Sequence, residues 1–190
     1  MARKCIFILG GARSGKSRFA QELAQKFGNK VLFVATGEPL DDEMLARIEE
    51  HKRNRPKSWR TLETPTNIGK QLEAEIGDAE VVVIDCLTLL VSNLIGEETD
   101  YLKAEKRVLT EIDELIGGMD KLDTSFIIVS NEVGVGLVPK TRPGRIYRDI
   151  LGKANQLIAQ CADEVYFMVA SIPVKIKGNW SEPLRLDTLG

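Results

Sequence analysis

Five short apolar runs recur along the chain, over Lys4 to Leu9, Val31 to Ala35, Glu80 to Asp85, Phe126 to Asn131 and Val165 to Ala170. Each is mostly apolar at successive positions, which predicts strands covered on both faces rather than strands with one wet face. Between them the pattern lengthens to helical spacing over Lys16 to Phe27, Asp42 to Arg55, Ile68 to Ile76, Tyr101 to Ile116 and Ile146 to Cys161. In the first of these, Phe19, Leu23 and Phe27 stand four apart, one stripe of a helix. Strand alternating with helix predicts an α/β fold: a mainly parallel sheet with right-handed crossovers, flanked by helices, its ligands at the carboxyl ends of the strands. The tail Ile172 to Leu186 carries Pro173, Pro183 and the alternation Val174-Lys175-Ile176-Lys177, and predicts a C-terminal edge hairpin instead of a second domain. The expectation is one domain over residues 1–190, without internal repeats or low-complexity segments.

The first strand leads straight into Gly10-Gly11-Ala12-Arg13-Ser14-Gly15-Lys16-Ser17, a complete G-x-x-x-x-G-K-S sequence. Glycines there let successive backbone N–H groups converge on phosphate oxygens, and the following helix adds its positive end. Lys16 then reaches the β- and γ-phosphates and Ser17 offers a hydroxyl to Mg²⁺. Strand before and helix after are what a P-loop requires, so the chain is read as a nucleoside triphosphate-binding P-loop NTPase fold of the RecA-like kind. Its partner is Val81-Val82-Val83-Ile84-Asp85, an apolar strand ending in an acid. Such a carboxylate holds Mg²⁺ directly or through water, although a buried strand ending in Asp is common by itself. No Asn-Lys-x-Asp guanine-reading motif and no protein-kinase set accompanies the loop. A small-molecule kinase, a nucleotidyltransferase or a motor ATPase remain, and a motor normally needs more chain.

Composition narrows the partners. The 190 residues are 43% apolar and 28% charged, ordinary for a compact domain, and the net charge of -2 offers no general attraction to nucleic acid or anionic membrane. No run reaches membrane-spanning length, and the basic start Met1-Ala2-Arg3-Lys4 runs within a few residues into the P-loop, so no signal peptide is expected. Three cysteines, Cys5, Cys86 and Cys161, form no C-x-x-C pair and suggest reduced thiols in the cytoplasm, with Cys5 and Cys86 as small core residues.

The one histidine, His51, lies in a helical stretch that Asp41 or Asp42 can cap and Pro56 stops. Helical spacing puts Met44, Ile48, His51 and Arg55 on one face, with Arg47 four residues before His51. Pattern alone favours a residue at the boundary between a packed stripe and solvent, and reads Lys52 to Arg55 as a solvated helix end that complements the macrodipole.

Taken together, several strings closely resemble one family. They are the filling of the loop at 10 to 17; Glu43-Met44 and Arg47-Ile48; His51 through Arg55-Pro56 with Trp59, Thr61 and Glu63; Asp85-Cys86-Leu87-Thr88 with Ser92-Asn93-Leu94; Asn131-Glu132-Val133-Gly134 with Val138-Pro139; and Arg148-Asp149 with Gly152 and Asn155-Gln156. The chain resembles, over nearly its whole length, the bifunctional adenosylcobinamide kinase/adenosylcobinamide-phosphate guanylyltransferases of cobalamin biosynthesis. The resemblance implies two reactions at one nucleotide site. In one, the terminal phosphate of ATP or GTP passes to the aminopropanol hydroxyl of adenosylcobinamide. In the other, GTP guanylylates a histidine, here His51, and the GMP passes to the phosphorylated cobinamide to give adenosylcobinamide-GDP.

The resemblance further implies catalytic roles for His51 and Lys16, Mg²⁺ held by Ser17 and Asp85, and a homotrimer. It implies nucleotide contacts from Gly10, Gly11, Ala12, Arg13, Ser14, Gly15, Lys16 and Ser17, from Ala35, Thr36 and Gly37, from Lys52, Arg53, Asn54 and Arg55, and from Glu63 and Asp85. The basic flank of Arg47, Lys52, Arg53 and Arg55 is expected to favour the neutral, nucleophilic form of His51, partly offset by Glu49 and Glu50. Glu132 to Gly136 is a loop at the substrate edge or merely a connection. Two positions depart from the family pattern: Val135, where a larger or aromatic residue often stands, and Ser171, where glycine is expected. A plain P-loop kinase with a structural His51, or a nucleotide-binding regulatory protein without turnover, stays open at this point.

Overall fold

The computed structural model describes residues 3–38 and 42–179. The elements run β1 (Cys5–Gly10), α1 (Lys16–Phe27), β2 (Val31–Ala35), α2 (Asp42–Asn54), β3 (Arg60–Glu63), α3 (Ile68–Glu75), β4 (Val81–Asp85), α4 (Leu87–Ile95), α5 (Tyr101–Lys121), β5 (Ser125–Val129), α6 (Arg142–Cys161), β6 (Glu164–Val169) and β7 (Ile172–Lys177). All seven strands form one sheet in the order β3-β2-β4-β5-β1-β6-β7. Every pairing is parallel except β6 with β7. The expected mainly parallel α/β sheet with a terminal antiparallel hairpin is therefore present. β5 separates the P-loop strand β1 from the Asp85 strand β4, in keeping with the RecA-like arrangement.

Strand alternation divides the interior into two cores. Ile6, Ile8, Phe33, Val81, Val83 and Ile127 face α1, where Phe19, Ala20, Leu23 and Ala24 meet them. Phe7, Leu32, Val34, Val82, Ile84, Phe126 and Ile128 face the other way, under α3, α4, α5 and α6. Successive residues of one strand enter opposite cores, the period of two that keeps the middle positions of the central strands apolar. α2 belongs to neither core. Its Ile48 approaches Gly37 beyond the tip of β2, as does Leu89 of α4.

Five elements differ from the periodicity reading. β3 has no apolar run because it is an edge strand, paired only with β2 and mostly exposed. α4 was masked by its own burial: Leu87, Leu90, Val91, Leu94 and Ile95 are all buried, so the segment lacks a polar stripe. α5 continues past Ile116 because Gly118 lies against Gly69 of α3, where a Cβ on Gly69 would stand 2.6 Å from the Glu114 carbonyl; glycine there permits close helix contact instead of ending the helix. α6 starts at Arg142, capped by Thr141, whose side chain accepts from the Gly144 N–H. β5 ends at Val129, so Asn131 lies in the following loop. The expected cap Asp41 and the tail residues Pro183 and Leu186 lie outside the described residues.

Candidate active site

The loop from Gly10 to Ser17 joins β1 to α1. Gly15 precedes α1 at φ 91°, and a Cβ there would stand 2.8 Å from the Ser171 Oγ, so both backbone and space require glycine. No side chain caps α1, which leaves its first N–H groups on the loop side. Lys16 is 8% exposed, and its ammonium donates to the Gly11 carbonyl at 2.5 Å and reaches the Ser14 Oγ at 3.4 Å. Burial lowers its pKa, opposed by the Asp85 carboxylate. Ser17 lies half-buried in the first turn, while Gly11, Ala12 and Arg13 form the exposed rim, Arg13 at φ 55°. Two neighbours brace the loop: the Ser171 N–H donates to the Ser14 carbonyl at 3.0 Å and the Glu132 N–H to the Gly10 carbonyl at 3.1 Å.

The tips of β2 and β4 are tied side by side. Thr36 Oγ1 donates to the Cys86 carbonyl at 2.7 Å and accepts from the Cys86 N–H at 2.9 Å. The Asn93 amide from α4 donates to the Thr36 carbonyl at 2.8 Å and the Pro65 carbonyl at 3.2 Å. Ala35 accepts from the Thr64 N–H at 3.0 Å. Asp85 is thereby held at the end of β4, and its Oδ2 is buried and accepts no hydrogen bond among the described residues.

α2 brings the basic segment over these tips. His51 Nδ1 lies 3.6 Å from Asp85 Oδ2. Lys52 Nζ is 2.8 Å from Glu63 Oε1 on β3. Arg55 donates to Thr61 Oγ1 at 2.7 Å, and its guanidinium carbon lies 3.5 Å from the centre of the Phe33 ring, which in turn stacks on Trp59. Burial lowers the Arg55 pKa. Arg53 is exposed, and Asn54 closes α2. A cavity of about 290 Å³ opens between α2 and β3, lined by Lys52, Arg55, Trp59, Thr61 and Glu63 among others.

The electrostatics correct one expectation. The basic flank does not keep His51 neutral: the facing Asp85 raises its pKa, against a lowering by burial, and Arg55 contributes only a small opposing effect. Nor is Lys52 to Arg55 simply a solvated helix end, since Lys52 meets Glu63 and Arg55 is packed on Phe33. Phe33 carried no functional signal, being one apolar residue in a strand. Thr88 and Asn155 form a buried polar brace behind the site that motif chemistry also missed. Thr88 Oγ1 accepts from the Asn131 N–H at 2.8 Å, and Asn155 accepts from Ser130 Oγ at 2.7 Å and donates to the Asn131 carbonyl at 3.1 Å.

A RecA-like sheet carrying a P-loop, with a strand-end carboxylate and a histidine-bearing helix across its carboxyl edge, defines an α/β protein of the P-loop nucleotide-binding class. Residues 6–176 match the family described as cobinamide kinase / cobinamide phosphate guanyltransferase, and the chain belongs to that family. It is 42% identical over 180 residues to the bifunctional adenosylcobalamin biosynthesis protein CobU of Escherichia coli strain K12, covering 90% of this chain and 99% of that one. It is 41% identical over 178 residues to the bifunctional adenosylcobalamin biosynthesis protein CobP of Pseudomonas aeruginosa, covering 93% and 98% respectively. As a member it is an enzyme of cobalamin biosynthesis, a kinase and guanylyltransferase acting on cobinamide and its phosphate.

Proposed function

We propose that the two transfers share the P-loop and that His51 carries GMP between donor and acceptor. The observation that supports this is the approach of His51 Nδ1 to the Asp85 carboxylate, which directs the proton-bearing nitrogen toward Asp85 and leaves Nε2 as the nucleophile. Nε2 attacks the α-phosphorus of GTP, a P–N bond forms, the bond to pyrophosphate breaks, and Asp85 offsets the positive charge that develops on the ring. A phosphate oxygen of the phosphorylated cobinamide then attacks the same phosphorus, the P–N bond to His51 breaks, and the free imidazole is restored. In the kinase step the acceptor hydroxyl attacks the γ-phosphorus of ATP or GTP instead, and no protein nucleophile is needed. Lys16 stabilises phosphate charge in both. The cavity beside Lys52, Arg55, Trp59 and Glu63 is close to the lower end of ordinary ligand pockets of roughly 300 Å³ and suits the nucleoside.

The buried, unsatisfied Asp85 Oδ2 and the Ser17 hydroxyl are hard oxygen donors that fit Mg²⁺, which needs few protein ligands. Bound there, Mg²⁺ would neutralise phosphate charge. No helix among the described residues is long and apolar enough to cross a membrane. The reading includes a homotrimer, as the family resemblance implies, placed in the cytoplasm on its cysteine usage and without nucleic-acid partners on its net charge of -2.

The test is parallel incubation with α-labelled and γ-labelled GTP, then denaturation and peptide mapping. The expected result is acid-labile, alkali-stable label from the α position only, on His51, lost in His51→Ala while cobinamide phosphorylation persists. Label from the γ position, or on another residue, returns His51 to a structural role and the protein to a plain kinase.

A further inference from the structure

At the edge of the sheet opposite the nucleotide site, the first residue of β1 and the last of α6 are both cysteines. The backbone holds them together: the Cys5 N–H donates to Asp163 Oδ2 at 2.7 Å and the Asp163 N–H to the Cys5 carbonyl at 2.8 Å, two residues beyond Cys161. Cys5 packs into the core on the face that α6 covers, so its side chain is on the side of Cys161. We propose that Cys161 and Cys5 form a peroxide-reactive thiol pair, Cys161 being the attacking and Cys5 the resolving residue.

The two differ in the way such a pair requires. Cys161 is exposed and Cys5 is partly buried. The neighbouring Cys161 thiol together with burial pushes the Cys5 pKa up, and the Cys5 thiol pulls that of Cys161 down, whose own Sγ donates to the Ile158 carbonyl at 3.2 Å. Cys161 sits at a helix C-terminus, where the macrodipole opposes a thiolate, and Asp120 opposes it too. Lys177 from β7 acts in the opposite direction, donating to the Ala159 carbonyl at 2.9 Å and the Gln160 carbonyl at 2.8 Å, so that an ammonium covers the negative end of α6. The chemistry balances with hydrogen peroxide as oxidant. The Cys161 thiolate attacks one peroxide oxygen, the O–O bond breaks, and sulfenic acid and hydroxide result. The Cys5 thiol then attacks the sulfenic sulfur, its proton leaves with the displaced hydroxyl as water, and an intrachain disulfide joins β1 to α6.

Cys86 serves as the internal control. Burial pushes its pKa up to about 12, and its backbone is tied to Thr36, so it should remain reduced. Purified full-length protein is treated with hydrogen peroxide, alkylated and mapped without reduction. The expected product is one peptide pair linked through Cys5 and Cys161 with Cys86 alkylated; in Cys5→Ser, a sulfenic acid trapped by dimedone on Cys161; in Cys161→Ser, neither. The Cys161→Ser enzyme should keep its transfer rates, since the site lies at the other edge. Over-oxidation of Cys161 in the wild type with Cys5 left free, or dimedone labelling of Cys5 in Cys161→Ser at the rate seen for Cys161, would overturn the proposal.

Discussion

His51 Nδ1 stands 3.6 Å from Asp85 Oδ2, so a helix lying outside both cores meets a central strand through one imidazole and one carboxylate. The meeting sets a sign. Asp85 favours the imidazolium, and the folded pKa of His51 lies above its ordinary 6.5. On the proposed mechanism His51 attacks GTP as the neutral ring, so guanylylation should rise with pH through a midpoint above 6.5, and Asp85→Asn should move that midpoint down. Because the chain has one histidine, an NMR titration of its ring protons reads the group without ambiguity. Equal midpoints in wild type and Asp85→Asn would show that the carboxylate does not control the ring.

Lys16→Ala should remove both transfers while leaving the fold intact. On the proposed mechanism the lost cation serves phosphate in each reaction, and deleting one such group typically costs on the order of 100- to 1,000-fold in rate. Its burial cost disappears with it, so thermal stability should hold or rise. Rates of cobinamide phosphorylation and of GMP transfer, measured beside a melting curve, check this. Loss of one activity alone would mean separate triphosphate sites.

Much of this architecture is legible in one sequence because the central strands bury both faces and the loop at 10 to 17 has few physical alternatives. β3 and α4 escaped for opposite reasons, one having too few apolar residues and the other too few polar ones. The candidate residues could be named from motifs, but their electrostatic arrangement could not be read from the chain. Counting cations along α2 placed positive charge around His51, whereas the fold sets Asp85 from residue 85 against it and diverts Lys52 to Glu63. Charge neighbours separated by tens of residues are a tertiary property, and helical spacing cannot report them.

Ser171 offers a local test. It holds φ 66°, and the preceding Ala170 holds φ 48°, so the β6–β7 turn asks two side-chain-bearing residues to be left-handed. Glycine adopts that region freely, which accounts for glycine as the expected residue here. Ser171→Gly should relieve about 1 kcal/mol of backbone strain, less a few tenths returned through the more flexible unfolded chain. The N–H bond to Ser14 survives the change. Urea unfolding should therefore show a small gain in midpoint at unchanged slope, and a loss would mean that the hydroxyl's packing on Gly15 outweighs the strain.

Glu164 is the carboxylate on which the hairpin edge depends. It sits at the start of β6, receives Lys4 Nζ from just before β1 at 2.7 Å and Tyr166 Oη at 2.6 Å, and lies 3.1 Å from Lys175 Nζ on β7. Burial alone would raise its pKa, yet these three partners together lower it to about 2. A depressed folded pKa contributes stability above the unfolded value of 4.5, and that contribution is lost as pH falls through the interval toward 2. Glu164→Gln should thus cost roughly 2 kcal/mol at neutral pH, where the wild-type carboxylate is ionised and two ammonium groups lose it as a partner. The gap between variant and wild type should narrow steadily in acid. Urea titrations at neutral pH and at a pH between 4.5 and 2 measure both limits. A gap that stayed constant with pH would show that the glutamate acts through shape and hydrogen bonding and that its charge contributes nothing.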